Sequence, residues 1–475
     1  MQPKNVLIIC SDEHARTAMG CAGHSVASTP TLDTLAARGT RFTQAYTPSP
    51  TCVPARACLA TGTHVHENRC WSSAEPYHGQ HESWMHRLRE RDHAVVAIGK
   101  LHFRSADDDN GFNEEIVPMH VAGDGLDWPQ SLVRDPLPAF DQAAEMAHDI
   151  GPGDSPYTEY DRRITAETCD WLNRYPRKIK NKPWALFVSF VSPHYPLTAP
   201  TKFFDLYAGR DMPPTVGALP DHPVVREMAE FWDYDSHFDE QTRETAKRAY
   251  FGLGSFLDDN VRQVLEALED SGAARDTVVI YLSDHGEMLG NHGFWGKSVM
   301  YEESAGVPLI ISGGDVPVGI NSTLVSLTDM AATIEDIAGS DSPPRSEPWH
   351  GRSALNFIDA PDSDRFILSE YHDGGSPTGF FMVRHETWKY VHYAGDHPDQ
   401  LFDLEADPGE LADRGDDTAF DGHRERLHRL LTSIVDPDAV NAEAFADQAR
   451  RLDELGGAEA VLAQPGFNQT PAPTG

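Results

Sequence analysis

The chain has 475 residues, 40% of them hydrophobic, and carries 39 Lys and Arg residues against 74 Asp and Glu residues, a formal net charge of −35. The length predicts two to three domains rather than one small core. The acidic balance argues against binding to nucleic acids or anionic membranes, so an anionic ligand would need a local concentration of positive charge.

Apolar runs alternate with helical patterns through the first three quarters of the chain. Strands are predicted over 6–10, 94–98, 184–191, 277–282 and 307–311, and helices over 31–37, 84–91, 160–172, 240–271 and 328–338. Because each strand is a continuous apolar run, we expect an α/β fold with a large, mostly parallel sheet sandwiched by helices. The Pro- and Asp-rich stretches 104–157 and 199–235 are expected to be loops.

The pattern changes after about residue 360. Short alternating strands are predicted over 365–369, 379–383 and 388–392, followed by a helix over 421–435. The predicted domains are therefore a catalytic α/β domain over 1–360 and a small C-terminal α+β subdomain over 361–435. Residues 436–475 are expected to form a helical piece and then a flexible tail, a candidate oligomerisation segment.

Polar side chains follow four of the predicted strands at the point where each strand ends. They are Asp12, Lys100, His194 and Asp284. Because ligands of parallel sheets bind outside the carboxyl ends of the strands, we expect these side chains to converge.

A further stretch, residues 52–62, reads as a loop entering a short helix. Pro54 suits the first helical turn and Gly62 suits its end, which places Cys52 at the N-terminus, where backbone N–H groups favour negative charge. Arg56 follows one turn later, beside whatever Cys52 carries. This arrangement is typical of a site for an oxyanion ester.

The sequence resembles the type I sulfatases of the alkaline phosphatase superfamily, nearest to choline-sulfatase-like and phosphonate-monoester-hydrolase-like members. The resemblance extends from Val6 to about Pro408. It rests on Cys52-x-Pro54-x-Arg56 with Leu59-x-Thr61-Gly62, and on the motifs Gly99-Lys100-x-His102, Ser192-Pro193-His194-x-Pro196, Ser283-Asp284-His285-Gly286 and Trp295-Gly296-Lys297. It implies an alkaline-phosphatase-like fold.

The resemblance also implies that Cys52 is oxidised to formylglycine and that one divalent metal ion, Ca or Mn, is bound. The implied metal ligands are Asp12, Glu13, residue 52, Asp284 and His285. Glu13 stands where relatives often have Asp or Gln, and His285 where many have Asn. Gly306 falls where close relatives often have an arginine, so an ion pair expected there lacks its cation.

The remaining site residues take their roles from the same resemblance. Arg56, Lys100 and Lys297 are expected to contact the sulfate oxygens. His102 is expected to deprotonate the formylglycine hydrate and His194 to protonate the leaving oxygen, although these two roles could be exchanged. The implied mechanism is a double displacement in which the hydrate attacks sulfur and then expels sulfate. Asn68 and Trp71 are further expected to line the pocket, and Glu287 is expected to lie either behind the metal ligands or at the surface.

The sequence therefore predicts a hydrolase of sulfate monoesters, either aryl or small alkyl. The alternatives are a phosphonate monoester or phosphodiester hydrolase that uses the same site, and a non-catalytic homologue in which Cys52 is not converted. A formylglycine-generating enzyme and further copies of the chain are expected partners. Neither a signal-peptide pattern nor a membrane-spanning run is present, and the six cysteines lack metal-site spacing, so a cytoplasmic protein with reduced thiols is expected.

Overall fold

The computed structural model describes residues 4–123, 125–178, 182–339, 350–464 and 469–473. Its strands are β1 Asn5–Asp12, β2 Gly39–Tyr46, β3 Ala94–Lys100, β4 Glu114–Met119, β5 Ile150–Pro152, β6 Trp184–Pro193, β7 Leu197–Ala199, β8 Thr277–Ser283, β9 Gly306–Gly313, β10 Gly319–Asn321, β11 Val325–Ser326, β12 Phe366–Tyr371, β13 Phe380–His385, β14 Trp388–Tyr393 and β15 Gln400–Asp403.

Its α-helices are α1 Pro30–Ala37, α2 Cys52–Thr61, α3 Val65–Asn68, α4 Trp84–Glu90, α5 Ala143–His148, α6 Pro156–Lys178, α7 Thr201–Phe204, α8 Pro223–Trp232, α9 Glu240–Ser271, α10 Glu302–Ala305, α11 Asp329–Ala338, α12 Leu355–Asp359, α13 Asp421–Thr432, α14 Pro437–Glu454 and α15 Ala458–Leu462. In the part of the chain that these elements cover, no helix is long and apolar enough to cross a membrane.

The large sheet has nine strands in the order β10-β2-β9-β8-β1-β6-β3-β4, with β11 beside β2. Every described pairing is parallel except the two that β9 makes with β2 and β8. Both faces of the sheet are covered, and this is why β1 can be a continuous apolar run. Val6 and Ile8 join the core on one face, and Leu7 and Ile9 join the core on the other. The predicted mostly parallel sheet between helices is confirmed.

The C-terminal part forms an antiparallel sheet of four strands in the order β12-β13-β14-β15. Its core, which includes Leu368, Phe381 and Tyr390, is shared with Leu427 of α13 and Ala444 of α14. The predicted small α+β subdomain is thus confirmed, whereas its boundary at residue 360 stays a prediction.

Two stretches predicted to be loops contain regular structure. The stretch 104–157 adds β4 to the edge of the large sheet, and the stretch 199–235 contains α7 and α8. Helix α8 forms because His222 caps its first turn and because Val224, Val225 and Met228 bury one face. Both loop predictions were wrong in these parts.

Candidate active site

The four predicted strand-end residues meet at one edge of the large sheet. Strands β8, β1, β6 and β3 are neighbours and run parallel, so their carboxyl ends lie side by side. Asp12 ends β1 and Lys100 ends β3, while His194 and Asp284 follow directly after β6 and β8. The convergence predicted from the sequence is what the topology produces.

Cys52 is the first residue of α2, as the sequence predicts. Thr51 before it is extended, and Gly62 ends the helix in the left-handed conformation, with φ of 63° and its N–H bonded to the carbonyl of Cys58. The Cys52 Sγ lies 3.0 Å from Nε2 of His285 and 3.7 Å from Oδ1 of Asp12. Burial, with Asp12 nearby, raises the pKa of the Cys52 thiol to about 12, so the unmodified thiol is a poor nucleophile near neutral pH.

Asp12, Cys52, Asp284 and His285 offer ligand atoms that all lie within 4.8 Å of one another. All four residues are buried, and the two carboxylates bring negative charge into the sheet edge. The Nδ1 of His285 lies 3.0 Å from the carbonyl oxygen of Gly286, which can only accept, so Nδ1 carries the proton and Nε2 keeps its lone pair toward the group. Carboxylate oxygens with one imidazole are donors that suit a divalent cation.

Arg56 holds the two carboxylates of this group together. Its Nε donates to Asp284 at 2.8 Å and its Nη2 donates to Asp12 at 3.0 Å, while Nη1 donates to the Lys100 carbonyl and to Ser189. With these donors engaged, the guanidinium faces the carboxylates and is absent from the described wall of the cavity below. Its geometry favours a role through the carboxylates over direct contact with substrate oxygens.

Lys100 and Lys297 are the cations that line the cavity. The Nζ of Lys100 lies 2.5 Å from Oδ2 of Asp12. Burial alone would raise the pKa of Asp12, but the cations Lys100 and Arg56 hold it well below its usual range. In a chain of net charge −35, these two ammonium groups bring to the cavity wall the positive charge that an anionic ligand needs.

His194 pairs with Lys297 across the site. The Lys297 ammonium donates to Nε2 of His194 at 2.8 Å, and Nδ1 of His194 donates to the carbonyl of Tyr195 at 2.6 Å. Burial and Lys297 together hold the pKa of His194 well below its usual value, so the imidazole is neutral. Glu13 lies on this side, 3.3 Å from His194 and 3.5 Å from Lys297.

Glu13 is placed differently from the other four residues predicted as metal ligands. Its φ of 65° is left-handed, and its carboxylate groups with Asp12 and His194, outside the group that contains Cys52. Its Oε2 is buried without a hydrogen-bond partner among the described residues. Glu287, predicted to lie either behind the ligands or at the surface, is buried and accepts hydrogen bonds from the N–H groups of Leu289 and Gly296, beside Lys297.

His102 contacts Thr470 and is linked through it to Asp127, two residues that no sequence motif marks. Its Nε2 lies 2.9 Å from the hydroxyl of Thr470, and that hydroxyl donates to Asp127 at 2.7 Å. Burial, Lys100 and Arg56 hold the pKa of His102 well below its usual value. Thr470 is only 4% exposed, so the described part of the predicted flexible tail is packed into the site.

A cavity of about 130 Å³ is lined by five of the residues described above: Cys52, Lys100, His102, His194 and Lys297. One wall is aromatic, with contacts among the rings of Trp128, Phe140, Trp232 and Tyr234 at centroid distances from 5.2 to 6.4 Å. Asp373 adds a buried carboxylate to the same cavity.

Asn68 and Trp71 are not among the residues that line this cavity, so the prediction that they line the pocket was wrong. Asn68 donates to the Cys58 thiol, and the Trp71 indole donates to Asp447 of α14. Both follow α2 closely in sequence, but Asn68 ties the end of α3 to α2, and Trp71 packs into the core shared with the C-terminal sheet and helices.

Position 306 lacks the arginine that close relatives often have, and the guanidinium of Arg16 lies there instead. A Cβ on Gly306 would lie 3.0 Å from the Arg16 guanidinium carbon, so the glycine leaves the space that Arg16 fills. Arg16 pairs there with Glu302, which also binds the buried Lys389 at 2.8 Å. The loop after β1 is thereby tied to the C-terminal sheet.

Protein-family models match nearly the whole described chain. One, described as Sulfatase, matches residues 4–340, and another, described as N-sulphoglucosamine sulphohydrolase, C-terminal, matches residues 290–436. The chain is 33% identical over 464 residues to the choline-sulfatase of Rhizobium meliloti (strain 1021), covering 94% of this chain and 90% of that protein. It is 27% identical over 461 residues to arylsulfatase K of Danio rerio, covering 92% of this chain and 84% of that protein.

Among solved structures, the phosphonate monoester hydrolase of Agrobacterium radiobacter superposes with a TM-score of 0.75 at 22% identity, over 93% of this chain and 96% of that one. At this identity the likeness concerns the fold.

Proposed function

Because the chain belongs to the sulfatase family of the alkaline phosphatase superfamily, we propose that this sulfatase cleaves the sulfate monoester of a small alcohol with a formylglycine made from Cys52. The observation that carries the proposal is the position of Cys52. It lies at a helix N-terminus, within 4.8 Å of the ligand atoms of Asp12, Asp284 and His285, and beside the cations of the cavity.

Asp12, Asp284 and His285, together with residue 52, would hold one divalent cation, Ca or Mn. Glu13 would complete the set from the His194 side. A bound cation would add positive charge beside residue 52, where a sulfate ester must be held. Arg56 keeps Asp12 and Asp284 at the spacing that such binding requires, since it donates to both.

Conversion of Cys52 would require a formylglycine-generating enzyme as a partner of the unfolded chain. The hydrated aldehyde supplies a hydroxyl that attacks sulfur and a second hydroxyl whose deprotonation releases sulfate. The pKa of the buried thiol is raised to about 12, and the thiol carries no hydroxyl whose deprotonation could release sulfate. Both points favour the converted residue as the nucleophile.

Lys100 and Lys297 would contact the sulfate oxygens and stabilise their charge. His102, a neutral imidazole with no hydrogen bond to Nδ1 among the described residues, can take a proton from residue 52. Lys297 and His194 hold one proton between Nζ and Nε2 at 2.8 Å and can supply it to the leaving oxygen.

The leaving alcohol would carry a quaternary ammonium group, as in choline sulfate. The aromatic wall formed by Trp128, Phe140, Trp232 and Tyr234 offers π faces to a cation, and Asp373 offers a negative charge. A relative that covers nearly the whole chain bears the name choline-sulfatase, which agrees with this assignment.

The test begins with mass spectrometry of the peptide across Cys52, after expression with a formylglycine-generating enzyme. We expect the mass change of thiol-to-aldehyde conversion, followed by turnover of choline sulfate that Cys52→Ala abolishes. An aryl sulfate and a phosphonate monoester are assayed on the same preparation. Faster turnover of the phosphonate would establish the alternative hydrolase, whereas an unmodified and inactive protein would establish a non-catalytic homologue.

A further inference from the structure

Thr470 reaches the candidate site from the far end of the chain. It belongs to the described segment 469–473, and 368 residues separate it from His102. The segment is anchored at three points. The Tyr157 hydroxyl donates to the carbonyl of Thr470 at 2.6 Å, the Thr470 hydroxyl donates to Asp127, and Ala472 packs against the core between the sheet and α6.

The hydrogen bonds of this group have a definite direction. Asp127 also accepts from the N–H of Ala122 at 3.1 Å, so its carboxylate acts as an acceptor at both oxygens. The single hydroxyl proton of Thr470 goes to Asp127, and the Thr470 oxygen is left to accept from Nε2 of His102. Nε2 must then carry the imidazole proton, and Nδ1 keeps its lone pair.

The surroundings of Nδ1 of His102 agree with a proton on Nε2. Nδ1 is buried and has no hydrogen-bond partner among the described residues, although His102 lines the cavity. The backbone of His102 is left-handed, with φ of 54°, and its N–H is bonded to the carbonyl of Met119, which fixes the direction of the side chain. A buried acceptor without a donor is expensive unless a ligand supplies the proton.

We propose that Thr470 is a positioning residue: its hydroxyl, oriented by Asp127, fixes His102 as the tautomer whose Nδ1 accepts a proton from residue 52. The inference rests on the proposed function, since it assigns the support for the base of that reaction. It also gives segment 469–473 a role in the site itself.

The test compares Thr470→Val, which removes the hydroxyl at nearly constant shape, with Thr470→Ser, which keeps it. We expect Thr470→Val to lower kcat by roughly tenfold or more with KM changed less than threefold, and Thr470→Ser to restore kcat to within threefold of the wild type. In the His102→Ala background, Thr470→Val should change kcat no further. A smaller loss in Thr470→Val, no recovery in Thr470→Ser, or equal losses in both backgrounds would overturn the proposal.

A second readout does not depend on turnover. Two-bond ¹H–¹⁵N correlation spectra, with His102 assigned from the His102→Ala variant, should show a neutral ring protonated at Nε2 in the wild type and a tautomer mixture in Thr470→Val. An unchanged tautomer in the variant would overturn the proposal even if activity fell. If the wild-type protein hydrolyses no sulfate ester, the proposed function fails, while the spectra still decide whether Thr470 orients His102.

Discussion

At the scale of a single residue, Asp373 is the group that would select the leaving alcohol under the proposed function. Its carboxylate accepts from the hydroxyl and the N–H of Ser73 at 2.8 and 3.1 Å, and from the hydroxyl of Thr51 at 3.3 Å. These bonds hold the carboxylate in the same cavity as the aromatic wall. Under the proposed function its charge would act on the leaving alcohol, whereas Lys100 and Lys297 would act on the sulfate end.

Asp373→Asn removes this charge and keeps the shape of the side chain. Because one attraction between opposite charges is lost, we expect the KM for choline sulfate to rise by roughly tenfold, with the KM for a neutral-alcohol aryl sulfate changed less than threefold. Steady-state kinetics on both esters provide the measurement. Asp396→Asn, a change of an exposed residue with the same effect on net charge, is the control. Equal changes for the two esters would argue against Asp373 as the cation anchor.

At the scale of elements, Asp161 connects α6 to the end of β6 that precedes His194. Its two carboxylate oxygens accept from the N–H groups of Val191 and Ser192 at 2.8 and 2.9 Å. Burial outweighs these hydrogen bonds and raises the pKa of Asp161 to about 6 from 3.8. The helix thus orients the loop of the proposed proton donor with a carboxylate that is costly to ionise.

The raised pKa of Asp161 predicts a pH dependence of stability. Between pH 3.8 and 6 the folded state keeps the proton that the unfolded state loses, so the contribution of Asp161 is lost as pH rises through about 6. Relative to Asp161→Asn, the wild-type free energy of unfolding should fall by about 1.4 kcal/mol from pH 5 to pH 7.5. Urea unfolding at both pH values measures this difference.

Asp170→Asn, on the half-exposed face of the same helix, serves as the control for the change in charge and should show no such trend relative to the wild type. A constant gap between the wild type and Asp161→Asn across these pH values would show that Asp161 does not titrate in this range.

Elements were predictable from the sequence where burial is complete. The run Val6 to Cys10 identifies β1 because both faces of the sheet are covered, whereas β2 was missed because Arg41 and Gln44 interrupt its apolar residues. Helix α8 has helical apolar spacing, but the prolines around it favoured a loop. The contact of Thr470 with His102 could not be predicted, since no local pattern encodes a pairing across 368 residues.

At the scale of the whole molecule, the net charge of −35 opposes the approach of anionic esters. The Debye length falls from about 30 Å at 0.01 M salt to about 8 Å at 0.15 M, so salt weakens this repulsion at a distance more than it weakens buried contacts. We expect kcat/KM for an anionic aryl sulfate to rise severalfold over this range.

Choline sulfate has no net charge, so its kcat/KM should stay within about twofold over the same salt range. Measuring both esters in the same buffers separates repulsion from any effect of salt on catalysis. Parallel changes for the two esters, or a fall for the aryl sulfate, would contradict the expectation.

The order of strands in the large sheet also determines how long after Cys52 the ribosome makes the residues that surround it. Strand β1 lies between β6 and β8, which both come later in the chain. His285, whose ring contacts the Cys52 thiol, follows Cys52 by 233 residues. At roughly 5 to 20 residues per second, the ribosome needs about 10 to 50 seconds to make that interval. During this time residue 52 lacks its neighbours Asp284 and His285, so the proposed modifying enzyme would meet it before its site is complete, and the pace of translation would set the length of that interval.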